Sequence, residues 1–272
     1  MKSIVVLGAI LSLMPGSCVA ESGIKQFNTT SWHGLTGLYV TPTARLIGRG
    51  RLALGFNESK HSEFKAGLKF SDRQIRGVMT YGIADPLEFT ATFFNDLFMV
   101  PNGYKPDLDN QAFKTVGLKL RLLREDPHYW YPEVSIGVRD IFHDTADVGP
   151  LKKINNGTRV FLLASKRMLK NEKTGAFFDI HAGVGGDHNG VSGTLGLELA
   201  LVPTVSLIAE GIYDSPYLNF REFGTDDVRG RYLLNVGVRV YPDLVPGMVL
   251  DTGFVGDSEF EFSFGVSYVT GY

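Results

Sequence analysis

The sequence of 272 residues has little cysteine, no long apolar run outside its N-terminus and no excess of charge of one sign. Because Cys18 is its only cysteine, disulfide bonds within the chain cannot hold the fold together. No apolar run after the N-terminus reaches the ~18 residues of a transmembrane helix, which excludes a helical membrane protein. Lysines and arginines number 27 against 29 aspartates and glutamates, so a basic nucleic-acid-binding protein is excluded.

Residues 1–20 have the pattern of a secretory signal peptide. A positive residue precedes an apolar core at 4–14 that is too short to span a bilayer, and the small residues Cys18 and Ala20 precede a cleavage site. A lipoprotein signal with an acylated Cys18 is the alternative, but Pro15 stands where such a signal has a Leu-like residue. We therefore predict export, cleavage near Ala20 and a mature chain without cysteine.

After residue 20, apolar and polar residues alternate with a period of two, which predicts β-strands. One clear case is 195–201, where leucines alternate with Gly, Glu and Ala. The predicted strands are ~9–12 residues long, as a tilted strand crossing a bilayer requires, whereas soluble strands average ~5–6 residues. Because a membrane offers no water to unpaired backbone groups, such a sheet must close. The predicted fold class is an all-β, antiparallel transmembrane β-barrel.

The C-terminal strand carries an aromatic, Val or Thr residue at every second position from Phe260 to the final residue. A strand that ends on an aromatic residue resembles the C-terminal signal that the barrel-assembly machinery reads in outer-membrane barrels. We assign this barrel-assembly signal to Phe264, Val266, Tyr268 and Tyr272. The pattern predicts the bacterial outer membrane as the location, with its lipids and the assembly machinery as partners.

The lengths of the connections indicate how the barrel is oriented. Bacterial barrels have short periplasmic turns and longer external loops. When Tyr272 is placed on the periplasmic side, the longest predicted loops all fall on the external side: 96–110, 140–158 and 213–230.

Counting the predicted strands leaves two versions of the barrel open. The earliest predicted strands are 50–56, 63–70 and 74–82, which bring the total to thirteen. Since a barrel of this type has an even number, residues 35–41 can supply one more. We predict about 14 strands, with the barrel over 50–272 and 21–49 contributing a first strand. The alternative is 12 strands with 21–49 as an N-terminal plug.

If the apolar faces meet lipid, the opposite faces line the lumen. The lumen-facing candidates are Lys65, Lys69, Arg76, Glu88, Lys119, Arg121, Arg139, Asp179, Glu198, Glu210, Arg231 and Arg239. Their signs are mixed, whereas a pore selective for cations or anions carries a ring of one sign. We therefore predict ion pairs bridging a filled interior; a polar conduit for a neutral or amphoteric solute is the alternative.

The same register makes a prediction about two neighbouring residues. Leu197 faces lipid and Gly196 faces the lumen. Arginine at 197 is therefore expected to be far more damaging than serine at 196.

Motifs for catalysis or metal binding are absent from the sequence. No serine lies in a nucleophile elbow, and the six histidines lack metal-ligand spacing, so we predict no catalytic residue, metal or cofactor. His181 and His188 flank a glycine-rich turn, where we expect a solvated loop.

Residues 34–55 contain a sequence motif in addition to the alternation. Residues 34–45, ending in Pro42, Thr43, Ala44 and Arg45 and followed by a Gly-Arg-Leu-Ala-Leu-Gly run at 50–55, resemble the N-terminal signature of the YjbH-like family of exopolysaccharide-associated outer-membrane proteins. The resemblance implies an outer-membrane barrel that helps to make or export an extracellular polysaccharide. It also implies polysaccharide and periplasmic export proteins as partners, and it brings no catalytic residues. Pro42 holds the preceding residues extended, which fits a strand end, a segment inside the lumen or a plain turn.

The leading hypothesis is a non-enzymatic outer-membrane scaffold or conduit in exopolysaccharide assembly or export. The alternatives are a general small-solute porin, an outer-membrane hydrolase of lipid or glycan, and a soluble periplasmic β-sandwich.

Overall fold

Antiparallel pairing of successive strands organises the whole chain. The computed structural model describes residues 29–31, 35–38, 41–65, 68–99, 112–126, 129–139, 141, 158–171, 173–187, 190–213, 232–256 and 260–270. Two short strands, β1 (Thr29–Thr30) and β2 (Thr36–Gly37), pair with each other. No helix long and apolar enough to cross a membrane occurs in this described part of the chain.

Twelve further strands form a closed barrel. They are β3 (Leu52–Lys65), β4 (Leu68–Ala84), β5 (Leu87–Met99), β6 (Ala112–Leu123), β7 (Glu133–Arg139), β8 (Arg159–Lys170), β9 (Phe177–Asp187), β10 (Gly190–Val202), β11 (Val205–Tyr213), β12 (Tyr232–Val240), β13 (Met248–Gly256) and β14 (Phe260–Val269). Each strand pairs with the next, and β14 pairs with β3 in the register Val266↔Phe56, so the sheet has no free edge.

The connections differ between the two ends of the barrel. At one end the strands are joined by short turns, such as Asp85-Pro86 between β4 and β5 and Pro203-Thr204 between β10 and β11. We call this the short-turn end. The three widest gaps between successive strands follow β5, β7 and β11, all at the opposite end.

The prediction of about 14 strands is wrong, because two of the predicted strands do not exist as such. Residues 63–70 are not one strand: 63–65 end β3 and 68–70 begin β4, so the three earliest predicted strands are a single long hairpin. Residues 35–41 do not join the wall either, since only Thr36–Gly37 is a strand there and it pairs with β1. The alternation of apolar and polar residues continues from the end of β3 into the start of β4, so periodicity alone could not locate the reversal of the chain.

The two faces of the wall are the reverse of those of a soluble protein. Large apolar side chains stand exposed on the outside, among them Phe93, Leu195, Leu207, Val236, Phe254 and Phe262. The alternate positions point inward and are buried although many are polar or charged. A membrane barrel has this arrangement, because its outer face meets hydrocarbon and its inner face does not.

Candidate functional site

The barrel interior is occupied by a segment of the chain that precedes the first wall strand. We call this segment, residues 35–38 and 41–48, the plug. Leu35, Leu38, Ala44 and Ile47 in it are almost completely buried. Leu35 and Ala44 pack with Phe161 and Leu163 of β8. The chain folds back on itself there, since Thr43 N donates to Thr36 O (3.0 Å) and Leu38 N donates to Thr41 O (3.0 Å).

Glu88 of β5 and Lys119 of β6 hold one side of the plug. Both side chains are fully buried, and Lys119 Nζ lies 2.9 Å from Glu88 Oε1. Glu88 accepts hydrogen bonds from the backbone amides of Thr36 (3.1 Å) and Ile47 (3.1 Å), and from the Thr36 hydroxyl. Lys119 Nζ donates to the carbonyl oxygens of Thr36 (3.0 Å), Thr43 (3.0 Å) and Arg45 (2.7 Å). This pair therefore binds backbone amides and carbonyl groups of the plug, which need hydrogen-bond partners because they are buried.

Glu210 of β11 holds the other side of the plug. Its Oε1 accepts hydrogen bonds from the amide and the hydroxyl of Thr41, both 2.8 Å long. Its Oε2 accepts a hydrogen bond of 2.5 Å from the side-chain amide of Asn235 on β12. In the order of strands around the twelve-stranded barrel, β5 and β11 lie opposite each other. The plug therefore crosses the lumen from one wall to the other.

The Pro-Thr-Ala-Arg signature forms the centre of the plug. The amide of Ala44 donates to Ser165 Oγ (2.8 Å), and Ser135 Oγ donates to the carbonyl oxygen of Ala44 (2.7 Å). Pro42 forms an isolated bridge with Gly37 inside the barrel. Pro42 was compatible with a strand end, a segment inside the lumen or a plain turn. In the structure it lies in a segment inside the lumen.

Arg45 connects the signature to an ion-pair network around Asp179 of β9. Arg45 Nη1 lies 2.5 Å from Asp179 Oδ2, and Arg167 binds both oxygens of the same carboxylate at 2.8 Å. Glu125 lies 3.7 Å from Arg45 and 3.2 Å from Lys166. Bidentate arginine–carboxylate bonds are among the strongest polar contacts in proteins, so this network fixes the end of the signature.

A second ion-pair network lies under the first half of the plug. Arg239 Nε is 2.7 Å from Asp251 Oδ1, and Arg239 Nη1 is 3.9 Å from Glu198 Oε1. Arg239 Nη2 also donates a long hydrogen bond to Gly37 O (3.5 Å). The Tyr241 hydroxyl donates to Glu198 Oε1 (3.2 Å). Burial and the charge of Glu198 raise the pKa of Tyr241 well above its usual value, so the phenol stays protonated and remains a donor.

Among the described residues, one buried cluster has the composition of a metal site: Asp179, His181 and Glu198. Their donor atoms lie within 4.8 Å of one another, and Nε2 of the buried His181 has no hydrogen-bond partner among the described residues. Asp179, however, is already neutralised by two arginines, and Glu198 is engaged by Arg239 and Tyr241. A cation would have to compete with guanidinium groups on both carboxylates, so the cluster fits an ion-pair network better than a metal centre.

Ser165 and His181 resemble part of a hydrolase site without its geometry. His181 Nδ1 lies 2.8 Å from Ser165 Oγ, but the same oxygen accepts the amide of Ala44. Both side chains are buried against the plug. The pair therefore serves to hold Ala44, and it offers no accessible nucleophile.

The structure places most of the predicted lumen-facing residues on the inward face. Those placed there are Arg76, Glu88, Lys119, Arg121, Arg139, Asp179, Glu198, Glu210 and Arg239. Lys65 and Lys69 belong to β3 and β4, but their side chains lie outside the described part of the structure, as does all of Arg231. Of the predicted barrel-assembly signal, Phe264, Val266 and Tyr268 lie in β14, and Tyr272 is outside the described residues, as is the predicted signal peptide.

Several residues of the site were not expected from the sequence. His181 was predicted in a solvated loop and this is wrong: it is buried in the middle of β9, pointing inward. Its partner in the wall, Ser165, and Asn235, which donates to Glu210, carried no motif. Thr36 and Thr41 lie within the signature-like stretch 34–45, but nothing in the sequence marked them as the residues that bind the wall. For Ser165, His181 and Asn235 the only signal in the sequence was a position on the inward-facing side of a strand. Such a position does not reveal which inward residues contact the plug.

One protein-family model matches this chain. The model of the YjbH family, "Exopolysaccharide biosynthesis protein YbjH", matches residues 29–196, more than half of the chain. A comparison with curated protein sequences finds no match.

Two solved structures are similar to this chain. One is the translocator domain of the autotransporter NalP from Neisseria meningitidis, with 13% identity, a TM-score of 0.42 and coverage of 83% of this chain and 89% of that one. The other is an outer membrane channel from Pseudomonas putida F1, with 14% identity, a TM-score of 0.49 and coverage of 85% and 96%.

Proposed function

Because this chain belongs to the YjbH family of exopolysaccharide biosynthesis proteins, we propose that it is a non-enzymatic outer-membrane scaffold or conduit in the assembly or export of an exopolysaccharide. The observation that carries this proposal is the plug, which crosses a closed barrel and is bound to opposite walls. The connection to exopolysaccharide comes from the family. The action as a scaffold or conduit is inferred from the plug inside the barrel.

Placement in the outer membrane is supported by the two faces of the wall. The outer face carries a band of exposed aliphatic and aromatic side chains, whereas the inner face buries charges in pairs. Such a surface would be insoluble in water and is stable in a bilayer. Tyr129, Trp130 and Tyr131 stand exposed on the connection between β6 and β7, as residues of an interfacial aromatic girdle do.

An occupied lumen argues against a general porin. A porin conducts through a permanent aqueous channel, and here a segment of the chain crosses that space. The buried contacts at Glu88 and Glu210 join the plug to both walls, so transport would require the plug to move. We therefore propose that the protein either acts as a filled scaffold or opens only when other components of the export pathway displace the plug.

Planar-bilayer recording combined with a genetic experiment tests this function. The purified protein is expected to give no steady current, whereas the double variant Thr41→Val/Glu210→Gln, which loosens one attachment of the plug, is expected to give intermittent openings. Lys173→Gln, on an exposed turn, is the control and should stay silent.

In the native host, removal of the gene should lower the amount of polysaccharide outside the cell, and the wild-type gene should restore it. A large steady current from the wild-type protein would support the porin instead. Unchanged polysaccharide in the deletion strain, or recovery of the protein in the soluble periplasmic fraction without detergent, would contradict the proposal.

A further inference from the structure

A cavity of about 760 Å³ opens at the short-turn end of the barrel, between the end of the plug and the turns that follow β4, β6 and β8. Its cationic lining comprises Arg45, Arg49, Arg51, Arg121, Arg124 and Arg167. Lys170 adds a seventh positive charge. We call this space the arginine vestibule. Its volume falls within the ~300–1,000 Å³ of typical ligand sites.

The charge of the vestibule differs from that of the chain as a whole. Three carboxylates line it, Asp85, Glu125 and Glu133, which leaves an excess of four positive charges in the lining. The complete chain has a net charge of −2, so this concentration does not follow from the composition. A concave surface of one sign concentrates ions of the opposite sign.

Two of the three carboxylates that line the vestibule, and one behind it, are already engaged. Glu133 lies 3.2 Å from Arg121, and Glu125 lies 3.2 Å from Lys166. Asp179, behind the lining, binds Arg45 and Arg167. These pairs neutralise the inner part of the vestibule and hold its shape.

Arg49 and Arg124 at the opening have no such partners. Both are exposed, and no hydrogen bond or ion pair joins either side chain to another described residue. Their guanidinium groups are therefore available to a ligand. Arginine binds carboxylate and phosphate groups through two parallel hydrogen bonds, which makes it suited to anionic ligands in particular.

We propose that the arginine vestibule binds the anionic groups, carboxylate or phosphate, of a saccharide chain. No aromatic ring lies among the described residues that line it, so recognition operates through charge and not through stacking on sugar rings. The inference rests on the proposed function for its choice of a saccharide, and it adds that the saccharide is acidic. It also gives a role to Arg45 of the family signature, which lines the vestibule from the plug side.

Calorimetric titration of the purified mature protein in detergent tests the vestibule. The probes are trigalacturonate, glucose 1-phosphate and the neutral trisaccharide maltotriose. We expect trigalacturonate, glucose 1-phosphate or both to bind, with an affinity that falls as salt is added, and maltotriose not to bind. The double variant Arg49→Gln/Arg124→Gln should weaken binding at least about tenfold, because two charge-assisted contacts are lost.

Lys173→Gln is the matched control, since it removes a positive charge from an exposed turn at the same end without touching the vestibule. Its affinity should equal that of the wild type. Because Arg49 and Arg124 are exposed, their replacement should leave the barrel folded, which the change in gel mobility on heating checks. Equal binding of maltotriose, or equal affinity in the double variant, would overturn the inference.

The two proposals can fail separately. Loss of polysaccharide export on gene deletion, together with no binding of any anionic probe, would reject the vestibule alone. Binding that depends on Arg49 and Arg124 in a strain whose polysaccharide is unaffected would reject the proposed function and leave the anion site standing.

Discussion

Glu88 and Lys119 form an ion pair of 2.9 Å across neighbouring strands, with both side chains fully buried. The pair joins β5 to β6, and it also binds backbone groups of the plug through both partners. A buried ion pair is costly to desolvate and is retained where additional hydrogen bonds satisfy its remaining atoms. Here the plug supplies those hydrogen bonds, so wall and plug stabilise each other.

Replacing Lys119 by methionine should destabilise the barrel by about 3–5 kcal/mol, because Glu88 would be left buried without its counter-charge. The double variant Glu88→Gln/Lys119→Met should be less destabilised than Lys119→Met alone. Urea unfolding in detergent or lipid, followed by tryptophan fluorescence, measures these two variants and Glu88→Gln alone. Simple addition of the costs of the two single changes would show that the charges are not coupled.

Two neighbouring residues of β10 test the register and the plug together. Leu197→Arg should cost ~2–4 kcal/mol if the residue lies near the bilayer midplane, since it lies in the outward row with the exposed Leu195 and Leu199. The alternation predicts that serine at Gly196 is far less damaging than arginine at 197, but an added Cβ would lie 2.6 Å from Leu38 Cδ1 and 3.1 Å from Thr41 Oγ1. We now expect Gly196→Ser to cost about 1–3 kcal/mol through overpacking against the plug.

Gly193→Ser is the control on the same strand: Gly193 lies in the outward row, away from the plug, and the nearest atom to its added Cβ is 4.0 Å away. Unfolding free energies in lipid vesicles should place Gly193→Ser near the wild type and Gly196→Ser clearly below it. Equal stability of the two glycine variants would mean that the plug does not reach β10.

Gly82 of β4 is expected to be essential where the plug leaves the lumen. Its amide donates to Arg51 O (3.0 Å), its carbonyl accepts Gly50 N (2.8 Å), and an added Cβ would lie 1.7 Å from Gly48 O. Gly82→Ala should therefore displace the backbone at Gly48 and cost about 1–3 kcal/mol. Gly77→Ala on the same strand, whose Cβ would be 3.9 Å from its nearest neighbour, should cost less, and a thermal unfolding series compares the two.

Metal ions should leave the stability unchanged. Asp179 and Glu198 already interact with arginines. A cation at Nε2 of His181, which has no hydrogen-bond partner among the described residues, would have to displace those arginines from the carboxylates. The melting temperature of the purified protein should be the same with a chelator and with added zinc salt. A rise with zinc that disappears in His181→Gln would contradict the ion-pair interpretation.

The number of strands shows where periodicity stopped being informative. The ten strands from β5 to β14 were each predicted from alternation, with boundaries within a few residues. The error lay before them, where the alternation runs on from β3 into β4 although the two strands are antiparallel partners. A period of two reports which face a side chain takes, but it does not report when the chain reverses.

Residues 35–48 show a different limit. Their composition is apolar and small enough to suit a strand, and the extended form favoured before Pro42 suits one as well. Whether such a segment joins the wall or enters the lumen depends on the space left by twelve strands and on inward groups from distant parts of the chain. Thr41 and Glu210 are 169 residues apart in sequence, and no local pattern connects them.

The alternation of residue types was enough to predict an antiparallel, closed sheet and the charged face of most of its strands. The face that a side chain takes depends only on its position along its own strand, so it can be predicted locally. The sheet must close because an open sheet in a membrane would leave backbone groups without hydrogen bonds. That these inward charges bind a plug became visible only in the folded barrel. The same is true of the arginine-lined vestibule at one end. Pairing between inward charges depends on which strands oppose one another across the lumen, and that geometry exists only once the barrel has closed around the segment.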